Sequence, residues 1–122
     1  MTLNEKIKMV YKKTKFIPIN HAYAKVGEDK KVYCCALSAL YLYELKFNHT
    51  RLPVISEGIL AKSLKLDIEF VSGFIDGFDK ISNRSLKLHR LSSRYMAGHR
   101  NGKELYNSLK PKTLKFYNLE KE

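Results

Sequence analysis

The segment from residue 31 to residue 47 constrains the fold of this chain more than any other feature. Between Val32 and Leu45 it is almost entirely apolar, with Ser38 and Glu44 as polar interruptions. A helix that is apolar on all sides is normally buried against several neighbours. The run is longer than a typical strand and does not alternate. We therefore predict that residues 31–47 form a central buried helix.

A capping box predicts a first helix over residues 3–15. Thr2 and Glu5 form the Thr-x-x-Glu pattern, and apolar residues follow it at helical spacing. Pro18 disfavours helix at the residue before it, so the helix should end earlier. Residues 17–29 are predicted to be a connection.

Three further helices are predicted in the second half of the chain. Ser56 should begin a short helix over 57–64, and Asp67 should cap another over 68–78. Apolar residues recur every three or four positions from residue 88, which predicts a helix over 85–109 that Pro111 ends; a start at Ser92-Ser93 is the alternative. Residues 80–90 stay open between helix, loop and a short strand pair.

Together these elements predict an all-α fold. Its 122 residues suit one compact domain, 1–122, with about five helices around the central helix and a short basic tail from about residue 111. No apolar run approaches the roughly 20 residues that span a bilayer, so we expect no membrane insertion. The adjacent cysteines, Cys34 and Cys35, suit a reduced chain, and we expect a cytoplasmic protein.

The charge of the chain is strongly positive and unevenly spread. The formal net charge is +11, yet residues 57–79 contain two lysines against five carboxylates. Residues 80–122 contain eleven Lys and Arg against three carboxylates. Such an excess predicts an anionic partner, with surface solubility as the alternative. The cations predicted to bind nucleic acid or another anion are Arg84, Lys87, Arg90, Arg94, Arg100 and Lys103.

Two pairs of glycines, each four residues apart, predict a close helix crossing. Gly73 and Gly77 form one pair, and Gly98 and Gly102 form the other. Each glycine inside a helix costs about 1 kcal/mol relative to alanine, so two pairs need a compensating role. Glycines at this spacing leave a flat groove in which another backbone fits. We predict that the two helices cross, or that the first pair packs on residues 32–47.

Residues 60–77 resemble the helix-turn-helix of phage-repressor-type DNA-binding domains. Lys65 stands at the turn position that is usually glycine, and the exposed face of the would-be recognition helix is Glu69, Ser72 and Asp76. Carboxylates there are repelled by DNA phosphates. We therefore interpret the segment as a helical hairpin used for packing. The apolar positions that carry the resemblance are Leu60, Ala61, Leu64, Leu66, Val71 and Phe74.

A looser resemblance covers about half of the chain. The run from Cys34 to Leu40 and the later Gly73-Phe74-Ile75-Asp76-Gly77-Phe78-Asp79 look like those of small uncharacterised bacterial proteins, including cyanobacterial ones. The resemblance implies a bacterial-type, single-domain protein and brings no established activity with it.

The sequence contains no recognisable catalytic motif, and we predict no metal and no cofactor. The four histidines, His21, His49, His89 and His99, lack zinc-ligand spacing. A thiol site centred on Cys35 and activated by a histidine is the enzymatic alternative. Paired carboxylates such as Asp76 and Asp79 do acid–base chemistry when a cleft shifts their pKa values, but a solvated acidic face is the commoner explanation.

These observations lead to three functional hypotheses. The first is a non-enzymatic interaction or regulatory protein, which binds a protein partner or a second copy through the acidic residues Glu69, Asp76 and Asp79 and its basic surfaces. A homodimer would let each patch serve both subunits. The second is a nucleic-acid-binding protein that uses the basic C-terminal helix. The third is a small enzyme with a cysteine-based site.

Overall fold

The computed structural model of the protein describes residues 1–47, 51–79 and 92–111. By their contacts these residues divide into two compact units. Met1–Val54 with Lys110 and Pro111 form what we call the N-terminal unit, and Ile55–Leu109 form the helical unit. The elements in chain order are α1 (Leu3–Lys13), β1 (Ile17–Pro18), β2 (Ala24–Val26), β3 (Val32–Cys34), α2 (Ala36–Glu44), α3 (Glu57–Leu64), α4 (Ile68–Phe78) and α5 (Ser93–Leu109).

The prediction of an all-α fold is wrong, because the N-terminal unit contains a three-stranded mixed sheet. Helix accounts for 58% and strand for 8% of the described residues, so the fold is an α+β mixture. The strand order is β1-β3-β2, with β1 parallel and β2 antiparallel to the central β3. The residues predicted to be a plain connection therefore contain two strands.

The apolar run over 31–47 is not one helix. Val32–Cys34 form strand β3, Cys35 is the N-cap in an extended conformation, and α2 spans only Ala36–Glu44. Strand geometry at Val32 and Cys34 still buries both side chains, as the predicted helix would have done. The expected burial is found over residues 34–40 and at Leu42, whereas residues 43–46 are exposed. The strands β1 and β2 pair with β3 through backbone hydrogen bonds, which the spacing of apolar residues does not reveal.

The other helices follow their sequence signals closely. The capping box is present at α1, with the Glu5 amide donating to the Thr2 hydroxyl and the Thr2 amide donating to the Glu5 carboxylate. Helices α3 and α4 occupy the predicted ranges, with Ser56 and Asp67 as their N-caps. Helix α5 begins at Ser93, which is the alternative start at Ser92-Ser93, and the predicted residues 85–91 lie outside the described residues. The prediction of one domain over 1–122 stays a prediction.

Each unit has its own buried side chains. In the N-terminal unit, α1 packs on α2, and its residues Ile7 and Val10 are fully buried. The Tyr11 hydroxyl donates to the Cys34 carbonyl at 2.7 Å and ties α1 to the end of β3. In the helical unit, α4 packs along α5, with Phe74 and Tyr95 buried at their contact.

Candidate interaction surfaces

The two glycine pairs lie face to face where α4 crosses α5. A Cβ atom built on Gly73 would meet the Tyr95 carbonyl oxygen, and one built on Gly77 would meet that of His99. The arrangement is reciprocal, since Gly98 faces the Phe70 carbonyl and Gly102 faces that of Phe74. The helices that carry the two pairs therefore cross at all four glycines, one of the two arrangements expected from their spacing.

The crossing uses glycine as a contact surface rather than as a source of flexibility. All four glycines lie within helices, and none has a positive φ. Each carries a hydrogen where another residue has its side chain, and that hydrogen points at the facing carbonyl. Cα–H···O contacts of this kind recur between helices and contribute about 0.5–1 kcal/mol each. These contacts offset the loss of helix propensity that the four glycines cause.

The acidic residues predicted to bind a partner are partly used inside the helical unit. Asp76 is half-buried and accepts a hydrogen bond of 2.6 Å from the hydroxyl of Tyr95, which is fully buried. Asp79 is the half-buried C-cap of α4, and Glu69 is half-buried near the helix start. The carboxylate of Asp76 therefore links α4 to α5 through its hydrogen bond with Tyr95, and only its remaining exposed part is accessible to a partner.

The structure describes three of the six cations predicted to bind an anion. Arg94 pairs with Asp67 at 2.9 Å, although both side chains keep substantial exposure. Arg100 and Lys103 are exposed on the side of α5 away from its buried glycines, next to the exposed Glu104. Arg84, Lys87 and Arg90 lie outside the described residues. The described part of α5 is thus less basic than its sequence neighbourhood suggests.

The segment that resembles a helix-turn-helix forms a compact hairpin of α3 and α4. Lys65 closes α3 in the left-handed conformation, with φ 58° and ψ 44°, the conformation that favours glycine at a helix C-terminus. Of the three residues expected to face outward, Ser72 is buried and Asp76 is bonded to α5. Helix α5 thus occupies part of the side of α4 that would enter a DNA groove.

The adjacent cysteines lie in the core of the N-terminal unit as thiols. Cys34 is fully buried, and the Cys35 thiol donates to the Ser38 hydroxyl oxygen at 3.2 Å. Burial, reinforced by the neighbouring Cys35, raises the pKa of the Cys34 thiol well above its ordinary value. Burial likewise raises the pKa of Tyr11, whose hydroxyl donates to the Cys34 carbonyl. A protonated, buried thiol is a poor nucleophile.

Neither histidine that the structure describes, His21 or His99, is shown in contact with the cysteines. His99 packs its ring against Tyr95 in the helical unit, at 6.1 Å between centroids, and His21 is exposed in a left-handed conformation. His49 and His89 lie outside the described residues. Within residues 1–47, 51–79 and 92–111, no three His, Cys, Asp or Glu side chains group as metal ligands.

A surface groove that the sequence does not signal opens in the N-terminal unit. It lies where α1 and α2 both end and has a volume of about 490 Å³. Phe16 and Leu42 supply its buried floor, and Phe47 lines it from beyond α2. The remaining lining residues are Thr14, Lys15, Tyr43, Glu44 and Lys46.

The end of α2 has the hydrogen bonds of a Schellman motif, which shapes this groove. The Phe47 amide donates to the Leu42 carbonyl at 3.1 Å, and the Lys46 amide donates to the Tyr43 carbonyl at 3.0 Å. Lys46 takes the left-handed position with φ 55°. The motif normally brings together the apolar side chains that here are Leu42 and Phe47, both of which line the groove. The usual sequence signal, a glycine, is absent, so sequence reasoning missed it.

The positive charge of the described residues is concentrated in the N-terminal unit. Residues 1–47 contain nine lysines against four carboxylates, and none of those lysines is buried. The described part of the helical unit contains five Lys and Arg against six carboxylates. Two of the nine lysines, Lys15 and Lys46, line the groove, and Lys12 and Lys13 lie in the last turn of α1, just before the lining residues Thr14 and Lys15.

Comparison with known proteins gives no relative from which a role could be transferred. No protein-family model, curated protein or solved structure matches the chain. Among the residues that the structure describes, every helix is too short or too polar to cross a bilayer.

Proposed function

We propose that this chain is a non-enzymatic interaction protein that binds a partner protein through its basic N-terminal unit. The observation that carries the proposal is the concentration of exposed lysines in residues 1–47, next to an apolar groove. Protein interfaces combine an apolar centre with a polar, solvent-accessible rim, and this surface offers both. The acidic residues of α4 are less suited to the role, since Asp76 is engaged with Tyr95.

Several features favour a protein over a nucleic acid at this surface. Residues 1–47 contain lysine but no arginine, whereas arginine is the residue best suited to bidentate phosphate recognition. Two large apolar side chains, Tyr43 and Leu45, are 36% and 52% exposed at the end of α2. Exposed apolar groups beside a groove are typical of protein-binding sites.

Nucleic-acid binding through α5 is the second candidate. Arg100 and Lys103 project from the side of α5 that faces away from α4, where a phosphate backbone has access. This candidate predicts a steep loss of affinity with salt, which a groove that binds apolar side chains would show less strongly.

The cysteine site carries less support than either. The Cys34 thiol is fully buried with a raised pKa, and Cys35 is 6% exposed. The two cysteines therefore serve better as small core residues than as nucleophiles.

Selection from a displayed library of random peptides, with the full chain as bait, tests the proposal. Recovered peptides should bind the chain saturably in solution. A charge-reversed variant, Lys12→Glu with Lys15→Glu, should weaken them, and the matched variant Arg100→Glu with Lys103→Glu on α5 should not. Labelled duplex DNA and single-stranded RNA, titrated at about 50 and 200 mM salt, complete the comparison.

The two candidates give opposite patterns in this experiment. Peptide binding that depends on Lys12 and Lys15 supports the proposal. Tight nucleic-acid binding with a steep salt slope, abolished by the α5 variant and accompanied by no selected peptide, overturns it in favour of the second candidate.

A further inference from the structure

We infer that the groove between the ends of α1 and α2 binds an acidic peptide segment that carries a large apolar side chain. The inference rests on the proposed function and specifies its site and the chemistry of the partner. The groove lies within the N-terminal unit, so every residue that forms it belongs to one compact body.

The floor of the groove is suited to an apolar side chain. Phe16 is 7% exposed and Leu42 lies fully buried beneath the surface, so the half-buried Phe47 and the exposed Tyr43 offer most of the apolar surface that a ligand could cover. Tyr43 borders the same space and is more than one-third exposed. A volume of about 490 Å³ is within the range of 300–1,000 Å³ common for ligand pockets. Burial of a leucine or phenylalanine side chain of the partner would be the main source of affinity.

The charges around the groove favour carboxylates on the partner. Lys15 and Lys46 line it against a single carboxylate, Glu44, and the last turn of α1 adds Lys12 and Lys13. Two helix C-termini end nearby, and each contributes roughly half a negative charge. The four lysines exceed the combined charge of Glu44 and both helix ends. The remaining potential is positive and attracts an acidic segment.

A peptide fits these features better than a second copy or a nucleic acid. A second copy carries the same net charge of +11 and is repelled at long range. A nucleic acid gains affinity from many phosphate contacts along a track of cations, whereas the four lysines counted above are grouped around one apolar groove. An acidic segment with an apolar anchor uses both properties at once.

Lys46 allows a variant that removes charge without straining the fold. It occupies the left-handed region, where glycine is more stable than lysine. Lys46→Gly therefore removes a groove cation while easing the backbone. Lys30 is an exposed lysine with φ 63° in the turn between β2 and β3, so Lys30→Gly makes the same change at a site not lining the groove.

The test measures the fluorescence anisotropy of a labelled short peptide in which Asp and Glu alternate with Leu and Phe. One control peptide has Asn and Gln in place of the acids, and another has Ala in place of the apolar residues. We expect the first peptide to bind and both controls to bind at least about tenfold more weakly. Lys46→Gly should weaken binding about fivefold, while Lys30→Gly should change it less than about twofold.

Five results would overturn the inference. These are no binding of the acidic peptide, equal binding of the Asn/Gln peptide, equal binding of the Ala peptide, equal weakening by the two glycine variants, and displacement of the peptide by duplex RNA at equal concentration. Equal weakening would mean that total charge, not the groove, attracts the peptide. In that case library-selected peptides sensitive to Lys12→Glu with Lys15→Glu would still support the proposed function, so the two failures are distinguishable.

Discussion

At the scale of single residues, the packing of the helical unit depends on four glycines that have no side chain. Gly73, Gly77, Gly98 and Gly102 each leave space that a facing carbonyl group fills. A methyl group at any of them would force two helix backbones apart, because the obstructing atoms belong to the main chain and cannot rotate away. Gly58 differs, since a Cβ there would lie 4.0 Å from the Ser56 hydroxyl oxygen.

Alanine substitution separates these two kinds of glycine. Gly98→Ala should lower the free energy of unfolding by about 2–3 kcal/mol despite the better helix propensity of alanine. Gly58→Ala, the matched control in α3, should raise it by about 0.5–1 kcal/mol. Urea unfolding of both variants measures the difference. Equal effects would show that the close crossing does not determine stability.

The bridge between Asp76 and Tyr95 gives a second prediction at this scale. Asp76→Ala removes the carboxylate that accepts from the fully buried Tyr95 at 2.6 Å, which should cost about 1–3 kcal/mol. Tyr95→Phe should cost less, because the half-buried carboxylate can still meet water. A double-mutant cycle by urea unfolding measures the coupling. Additive effects would mean that the bridge contributes nothing and that Asp76 acts mainly as a surface charge.

At the scale of elements, the helices with a capping signal (α1, α3 and α4) were predictable, whereas the strands and the true extent of α2 were not. Thr2, Ser56 and Asp67 cap helices whose apolar spacing spans enough residues to define a period. Strands of two or three residues are too short for alternation to show, and their partners lie far along the chain. Strand β3 runs into α2 through Cys35, so one apolar run contains two elements. Hydrogen bonding between distant segments, not local preference, decides that boundary.

Of the two candidate sites, the glycine crossing could be predicted from the sequence and the groove could not. The glycine spacing pointed to a helix crossing because four-residue spacing is a property of one helix face. The groove follows from the placement of two helix ends and from a Schellman motif with Lys46 in place of glycine. No local sequence pattern indicates either the placement of the helix ends or the left-handed Lys46. The groove could therefore be recognised only in the folded N-terminal unit.

The C-cap of α3 allows a prediction about strain. Lys65 occupies the left-handed region, which costs a residue with a side chain about 1–2 kcal/mol. Lys65→Gly should therefore raise the free energy of unfolding by about 1 kcal/mol. Lys62→Gly, one turn earlier and within the helix, should lower it by a similar amount. Thermal unfolding of the pair is the measurement, and a loss of stability in Lys65→Gly would contradict the assigned backbone conformation.

The capping box of α1 predicts a dependence on pH. The Thr2 backbone amide and hydroxyl both bond to Glu5 and lower the pKa of its carboxyl below the ordinary value of 4.5. A carboxylate with a lowered pKa stabilises the fold above the unfolded-state value, and the effect is lost as pH falls through the folded-state value. Glu5→Gln should remove this part of the acid sensitivity. Urea midpoints between about pH 6 and pH 3 measure it. Parallel losses in the wild type and the variant would contradict the role of the cap.

At the scale of the whole molecule, the two units carry different properties of the sequence. The helical unit contains the glycine crossing and, in its described residues, nearly balanced charge. The N-terminal unit contains the mixed sheet, the buried cysteines, most of the described positive charge and the groove. The glycine crossing lies in the interior of the helical unit, and the recognition surface that we propose lies on the N-terminal unit.

The most direct test of this assignment is an amide chemical-shift map of the full chain with and without the acidic, apolar peptide. We expect the largest changes at Lys15, Phe16 and the residues from Tyr43 to Phe47, with the amides of α5 unchanged. Changes centred on Arg100 and Lys103, or no saturable change at any amide, would contradict the claim that the N-terminal unit is the recognition surface.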